Sequence, residues 1–143
     1  MKARRQLLGI LAGILCLIAL AMWFPWFKPW IDLKALERQA KRNLDATELQ
    51  QWAMNMIAKH PSETTSFAQY YGTNYYSSTN FPSGLRKIDL FSHGLNILTN
   101  KRDVAIFGMG KGVPFLQVGA PSLAAPTNQT FIQWKPGIFV VGG

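Results

Sequence analysis

A run of apolar residues at positions 7–27, without a charged side chain, constrains the fold of this chain more than any other feature. As an α-helix, its 21 residues extend for about 31 Å, which matches the hydrocarbon thickness of a lipid bilayer. Lipid offers backbone N–H and C=O groups no partner, so a run that enters a bilayer must be helical. The sequence therefore predicts an N-terminal transmembrane helix, and Pro25 and Pro29 predict the end of its regular part.

Three tryptophans, Trp23, Trp26 and Trp30, stand at or just beyond the C-terminal end of this run. Tryptophan is enriched where transmembrane helices meet the lipid headgroups, so these residues are predicted to anchor the helix at one membrane interface. The run also contains Gly9 and Gly13 at the G-x-x-x-G spacing, which lets two transmembrane helices approach closely. These two glycines are the predicted packing site for a neighbouring helix.

A cleaved signal peptide is the alternative interpretation of the same segment, because residues 19–21 read Ala-Leu-Ala and fit the A-x-A pattern of a cleavage site. Residues 22–24 favour retention, because they continue the hydrophobic stretch where a cleavage region is usually less apolar.

Basic residues flank the run on both sides, and they are denser on the N-terminal side, where Lys2, Arg4 and Arg5 stand. Positive charge near a transmembrane helix tends to stay in the cytoplasm. We therefore expect the N-terminus in the cytoplasm and the C-terminal part outside it, in the periplasm if the cell is bacterial.

The helix signals after the anchor divide the chain into a transmembrane segment, residues 1–30, and a small domain, residues 31–143. A first amphipathic helix is predicted over residues 32–43, with Asp32 as its N-cap. Residues 45–48 read Asp-Ala-Thr-Glu and form a capping box, which predicts a second amphipathic helix that ends near residue 59, before Pro61.

The second half of the chain changes to the period of two that is typical of β-strands, and Leu95, Ile97 and Thr99 share one face of the first strand. Short strands joined by short turns, such as residues 108–112, predict an antiparallel arrangement. The predicted fold class is therefore α+β. One or two amphipathic helices pack on a four- or five-stranded antiparallel sheet.

Residues 62–80 are predicted to be a long loop, because they are rich in Ser, Thr, Asn and Gly. The candidate binding residues in it are Tyr70, Tyr71, Tyr75 and Tyr76. Tyrosine offers a large contact area at low entropic cost, so such a loop suits a glycan or a peptide. The alternative is that two of these side chains pack inward and two cover the surface.

The sequence contains little that could carry catalysis. Its histidines are His60 and His93, it has one cysteine, and neither H-x-x-x-H nor C-x-x-C occurs. We therefore predict no metal site, no cofactor and no enzymatic activity. The formal net charge of +8 comes without a signature of a nucleic-acid-binding fold, so nucleic acid is not an expected partner.

Two functions from different classes agree with these features. The first is a single-pass, membrane-anchored accessory or structural subunit of a larger envelope or membrane assembly, whose partners are the lipid bilayer and other membrane-protein subunits. The alternative is a membrane-tethered or secreted binding module that uses residues 70–76 for a glycan or a peptide.

Overall fold

The structure is a computed structural model that describes residues 2–60, 64–69 and 82–143. Its elements are the helices α1 (Lys2–Asn43) and α2 (Ala46–Lys59), two 3-10 helices (Ser83–Lys87 and Asp89–Phe91), and the strands β1 (Thr64–Gln69), β2 (Gly94–Thr99), β3 (Asp103–Gly108), β4 (Phe115–Gly119), β5 (Phe131–Lys135) and β6 (Ile138–Val141). The α+β class predicted from the sequence is confirmed.

All neighbouring strands pair antiparallel, in the order β1-β2-β3-β4-β6-β5. Among the described residues the sheet has six strands, one more than the upper number predicted, and the additional strand is β1 at one edge. The prediction of a continuous loop over residues 62–80 is therefore wrong at Thr64–Gln69. This polar stretch is extended because it pairs with β2 along its whole length. Such a non-local interaction cannot be predicted from the residues of the stretch itself. The four candidate tyrosines lie outside the described residues.

Helix α1 continues without a break through Pro25 and Pro29, so the predicted end of the helix and the predicted N-cap at Asp32 are wrong. Each proline removes one backbone donor, but its fixed φ is compatible with a helix. Two interactions follow Pro25 along the helix. The Lys28 ammonium contacts the Asp32 carboxylate at 2.6 Å one turn later, and Leu33 is fully buried in the core.

Helix α2 begins as the capping box predicts. The Asp45 carboxylate accepts hydrogen bonds from the backbone N–H groups of Thr47 (2.8 Å) and Glu48 (2.9 Å). These two donors lower the pKa of Asp45, since they stabilise its charged form. The cap therefore stabilises the fold above the ordinary pKa of an aspartate, and this stabilisation is lost as the pH falls through the lowered value.

Replacing Asp45 with alanine removes both acceptor bonds and is expected to lower the melting temperature by about 5 °C. Near-ultraviolet circular dichroism of the full chain in detergent micelles measures this change. The control is Asp45→Asn, because asparagine caps a helix without a charge. At neutral pH this variant should melt close to the original chain, but the dependence of its stability on acid should be weaker. Equal melting temperatures for Asp45→Ala and the original chain would contradict the role of the cap.

The hydrophobic core lies between the two helices and one face of the sheet. The C-terminal part of α1 packs on β5 and β6, and α2 packs on β3 and β4. The strands contribute alternate residues to this face, and Leu95, Ile97 and Thr99 are buried on one face as predicted. The buried helix residues of the core are Leu33, Leu36, Ala40, Leu44, Ala46, Leu49, Ala53 and Met56. The last eleven residues of α1, from Leu33 to Asn43, are thus part of the domain as well as the continuation of the anchor.

The two ends of the sheet are distinct. We call the end near Gln50 of α2 the distal end, where the Gln50 amide nitrogen donates to the backbone carbonyls of Gly119 (2.7 Å) and Pro136 (3.1 Å). The backbone N–H of Gly119 donates to the carbonyl of Gly137 at 2.9 Å. These contacts join α2, the end of β4 and the β5–β6 turn.

Candidate membrane-anchoring site

The N-terminal part of α1 projects from the domain with its side chains exposed from residue 6 to residue 31. Within the described residues, α1 is the one helix that is long and apolar enough to cross a membrane. Its exposed large side chains would each gain about 1.5–3 kcal/mol on moving from water into an apolar phase. An exposed apolar surface of this size marks an interaction with lipid or protein.

The three predicted anchor residues all lie on the exposed part of α1, and Trp26 is the most exposed, at 85%. The rings of Trp23 and Phe27 stack with their centroids 6.0 Å apart. The Lys34 ammonium lies 5.5 Å from the centroid of the Trp30 ring, within the range of a cation–π interaction. The aromatic side chains are therefore followed directly by the first charged turns of the helix, and they contact them at Lys34.

A continuous line of side chains joins the predicted glycine pair to the tryptophans, and we call it the packing seam. Its members alternate in spacing between four and three residues: Gly9, Gly13, Cys16, Leu20, Trp23, Phe27 and Trp30. This is the spacing with which two helices pack along a left-handed coiled coil. A methyl group added at either glycine would contact nothing within 4 Å, so the N-terminal part of the seam is open.

The middle of the packing seam forms a shallow apolar groove of about 450 Å³ on the side of the helix. Its lining residues are Cys16, Ala19, Leu20, Trp23, Phe24 and Phe27. Small side chains at one end and aromatic rings at the other give the groove a shape that a second helix can fill.

The charged face of α1 beyond the tryptophans is basic, and only part of its positive charge is paired with a carboxylate. The Glu37 carboxylate accepts a hydrogen bond from Lys41 at 2.7 Å and from Lys34 at 3.0 Å. These two ammonium groups lower the pKa of Glu37, with Lys41 contributing most, although burial acts in the opposite direction. Arg38 and Arg42 are exposed on the same part of the helix.

A second surface feature is a groove of about 770 Å³ between α2, the β2–β3 turn and residues 120–129. Met54 and Ile57 line it from the helix, and Lys101 and Arg102 line it from the turn. Its one buried carboxylate, Asp103, already accepts hydrogen bonds from the side-chain amides of Asn100 and Gln117. The groove therefore offers a basic rim and an apolar wall.

The structure separates the sequence predictions into three groups. It places Gly9, Gly13 and the three tryptophans on one exposed helix. The tyrosine site lies outside the described residues. In the described part of the chain, no group of three His, Cys, Asp or Glu side chains is arranged to hold a metal ion.

The packing seam and the 770 Å³ groove did not emerge from the sequence analysis. The alternating spacing of the seam is a signal that the sequence contains, but it continues beyond Pro25 only if the helix does. The groove is formed by segments far apart in the chain, and no local pattern indicates it.

The chain matches no family model, no curated protein and no solved structure. Its function therefore has to be inferred from the surfaces described above.

Proposed function

We propose that this protein is a single-pass, membrane-anchored accessory subunit of a larger membrane assembly, with its α+β domain outside the cytoplasm. The observation that carries the proposal is the exposed apolar part of α1, which continues without a joint into the core of the domain. A helix with this surface needs lipid or protein around it, and its length suits a bilayer.

The connection between the anchor and the domain supports a positioning role. Leu33, the first helix residue buried in the core, is six positions after Phe27, the last residue of the apolar run. At about 1.5 Å per residue, the core begins roughly 9 Å beyond the end of the run. Such a protein holds its domain at the membrane surface, as a structural subunit of an assembly would.

The packing seam supports a partner helix within the membrane. Lipid tails give helices no hydrophobic reason to associate, so close packing over small residues is a principal attraction. Gly9 and Gly13 allow this approach at one end of the seam, and Trp23 and Phe27 provide aromatic surface at the other. The partner we propose is a transmembrane helix of another subunit.

Extraction with alkaline carbonate tests the anchor. We expect the full chain to remain in the membrane pellet with its N-terminus intact. Release into the supernatant with a mature N-terminus at Met22 would show instead that residues 1–21 are a cleaved signal peptide. The orientation is determined with a protease added outside sealed vesicles. Residues 31–143 are cleaved if they face outward and are protected if they face the interior.

Replacing both Gly9 and Gly13 with leucine should weaken association with the assembly by filling the open end of the seam. We expect a shift from a large to a small species on native gels after mild detergent extraction, with membrane insertion unchanged. The control is Ile14→Ala with Ile18→Ala, because the helical repeat places these residues on the opposite side of α1. Equal yields of the large species for both double variants would mean that the seam faces lipid.

The alternative function, a binding module, has a specific observation in its favour that differs from the predicted tyrosine site. The 770 Å³ groove combines an apolar wall at Met54 and Ile57 with the basic rim of Lys101 and Arg102, which suits an acidic peptide. Two results together would favour this function. The full chain would run as a monomer after mild extraction, and an acidic peptide would bind the original chain but not the Lys101→Glu variant.

A further inference from the structure

One end of the sheet lies beside the part of α1 that leaves the apolar run. Lys28 and Asp32 of the helix line a groove of about 390 Å³ together with Val113 and Pro114, which precede β4. Lys28 directly follows the last residue of the apolar run. The groove extends along α1 from Lys28 to Gln39, so the segment before β4 lies within about 16 Å, measured along the helix, of the end of the apolar run.

Other strand ends meet at this same end of the sheet, which we call the proximal end. The backbone N–H of Gly142, just after β6, donates to the carbonyl of Thr130, just before β5, at 2.7 Å. A Cβ atom at Gly143 would lie 2.2 Å from the carbonyl oxygen of Val113. The end of β6, the start of β5 and the β3–β4 turn are thus close together.

The strands lead from the proximal end away from the membrane. β4 begins at Phe115, next to the groove beside Lys28, and ends at Gly119, which accepts the hydrogen bond from Gln50 at the distal end. Gln50 belongs to α2, which follows the last residue of α1, so the distal end is joined to a part of the chain further from the apolar run than the helix residues of the groove. The turn that precedes Pro114 therefore extends toward the lipid, past the start of β4.

The β3–β4 turn has the side chains that suit a lipid headgroup layer. Met109 is 46% exposed, although methionine is an apolar residue, and Lys111 is exposed beside it. Gly110 and Gly112 adopt φ angles of +142° and +66°, which bend the backbone tightly between the strands. A flexible apolar side chain next to a basic one is the combination found on surfaces that lie at a membrane interface.

We propose that the β3–β4 turn makes a second contact with the bilayer surface, with Met109 at the boundary between headgroups and acyl chains and Lys111 among the phosphates. The inference rests on the proposed function, because it needs residues 7–27 to span a bilayer. It does not depend on which side of the membrane the domain lies, since the turn faces the lipid from either side. The contact fixes the rotation of the domain about the axis of α1, which a single helix leaves free.

Site-specific quenching tests this contact in the full chain. Cys16→Ala removes the native cysteine, and Met109→Cys or Lys111→Cys then provides one position for an environment-sensitive fluorophore. The control is Lys101→Cys in the β2–β3 turn, which is also exposed but lies at the distal end. Each labelled chain is reconstituted into phosphatidylcholine vesicles that contain lipids with a nitroxide on the headgroup, and its melting temperature is compared with that of the original chain.

We expect the nitroxide lipids to quench the labels at positions 109 and 111 several-fold more than the label at position 101. Equal quenching at all three positions, in chains that carbonate leaves in the vesicle pellet, would overturn the second contact and leave the anchor intact. Release of the chains by carbonate would overturn the proposed anchor, and the second contact with it.

Discussion

Replacing Gly137 with alanine is expected to lower the free energy of unfolding by about 4 kcal/mol or more, which places it among the most damaging single substitutions. Gly137 adopts a φ of +78° in the β5–β6 turn, a conformation that costs an alanine about 1–2 kcal/mol. In addition, the new Cβ atom would lie 2.2 Å from the carbonyl oxygen of Ala120 and 2.8 Å from the Gln50 amide nitrogen. Neither the turn nor Ala120 can move without disturbing the hydrogen bonds that join α2 to the sheet.

Gly112→Ala is the matched control, because Gly112 has a similar φ of +66° but nothing within 4 Å of its would-be Cβ atom. In this variant the free energy of unfolding should fall only by the cost of the unfavourable backbone conformation, which is about 1–2 kcal/mol. Denaturant unfolding of both variants in micelles measures the difference. If both variants lose the same stability, the close packing around Gly137 contributes nothing. The contacts between α2, the end of β4 and the β5–β6 turn would then tolerate an added methyl group.

The double variant Leu33→Ala with Leu36→Ala is expected to unfold the domain while leaving the anchor in the membrane. Both side chains are almost completely buried, and each truncation costs about 2–5 kcal/mol. Their sum approaches the whole stability of a typical domain, which is about 5–15 kcal/mol. Near-ultraviolet circular dichroism should lose its signal, and limited proteolysis should degrade the strands.

Arg38→Ala with Arg42→Ala provides the control on the exposed side of the same helix segment. Surface changes of this kind are usually within about 0.5 kcal/mol of neutral. A stable domain in the leucine variant would mean that residues 31–43 belong to the anchor alone, so that the predicted boundary at residue 31 is wrong. Carbonate extraction of both variants confirms that membrane insertion is not the property that changed.

The elements that could be predicted from the sequence are those decided by local interactions. The cap at Asp45 depends on residues two and three positions away, and the alternation in β2 depends on its own side chains. By contrast, β1 exists through its pairing with β2, some thirty residues further along the chain. The continuation of α1 beyond Pro25 and Pro29 likewise brings Leu33 into a core that it shares with residues of the distant sheet.

The same distinction applies to the candidate site. Gly9, Gly13 and the tryptophans could be proposed as site residues from residue type alone, since the membrane environment favours particular residue types at interfaces and helix contacts. The full seam required knowing that the helix does not end at Pro25. The proximal end of the sheet could not be predicted at all, because the groove that Lys28 and Val113 both line is formed by the packing of segments far apart in the chain.

If residues 7–27 span a bilayer as proposed, the uninterrupted course of α1 makes the domain follow the tilt of the span. A span whose apolar length exceeds the local bilayer thickness tilts to hide the excess, and a thicker bilayer brings it upright. With no joint between Phe27 and Leu33, the sheet must turn through the same angle. A change in membrane thickness would then appear as a change in which edge of the domain is presented to its neighbours.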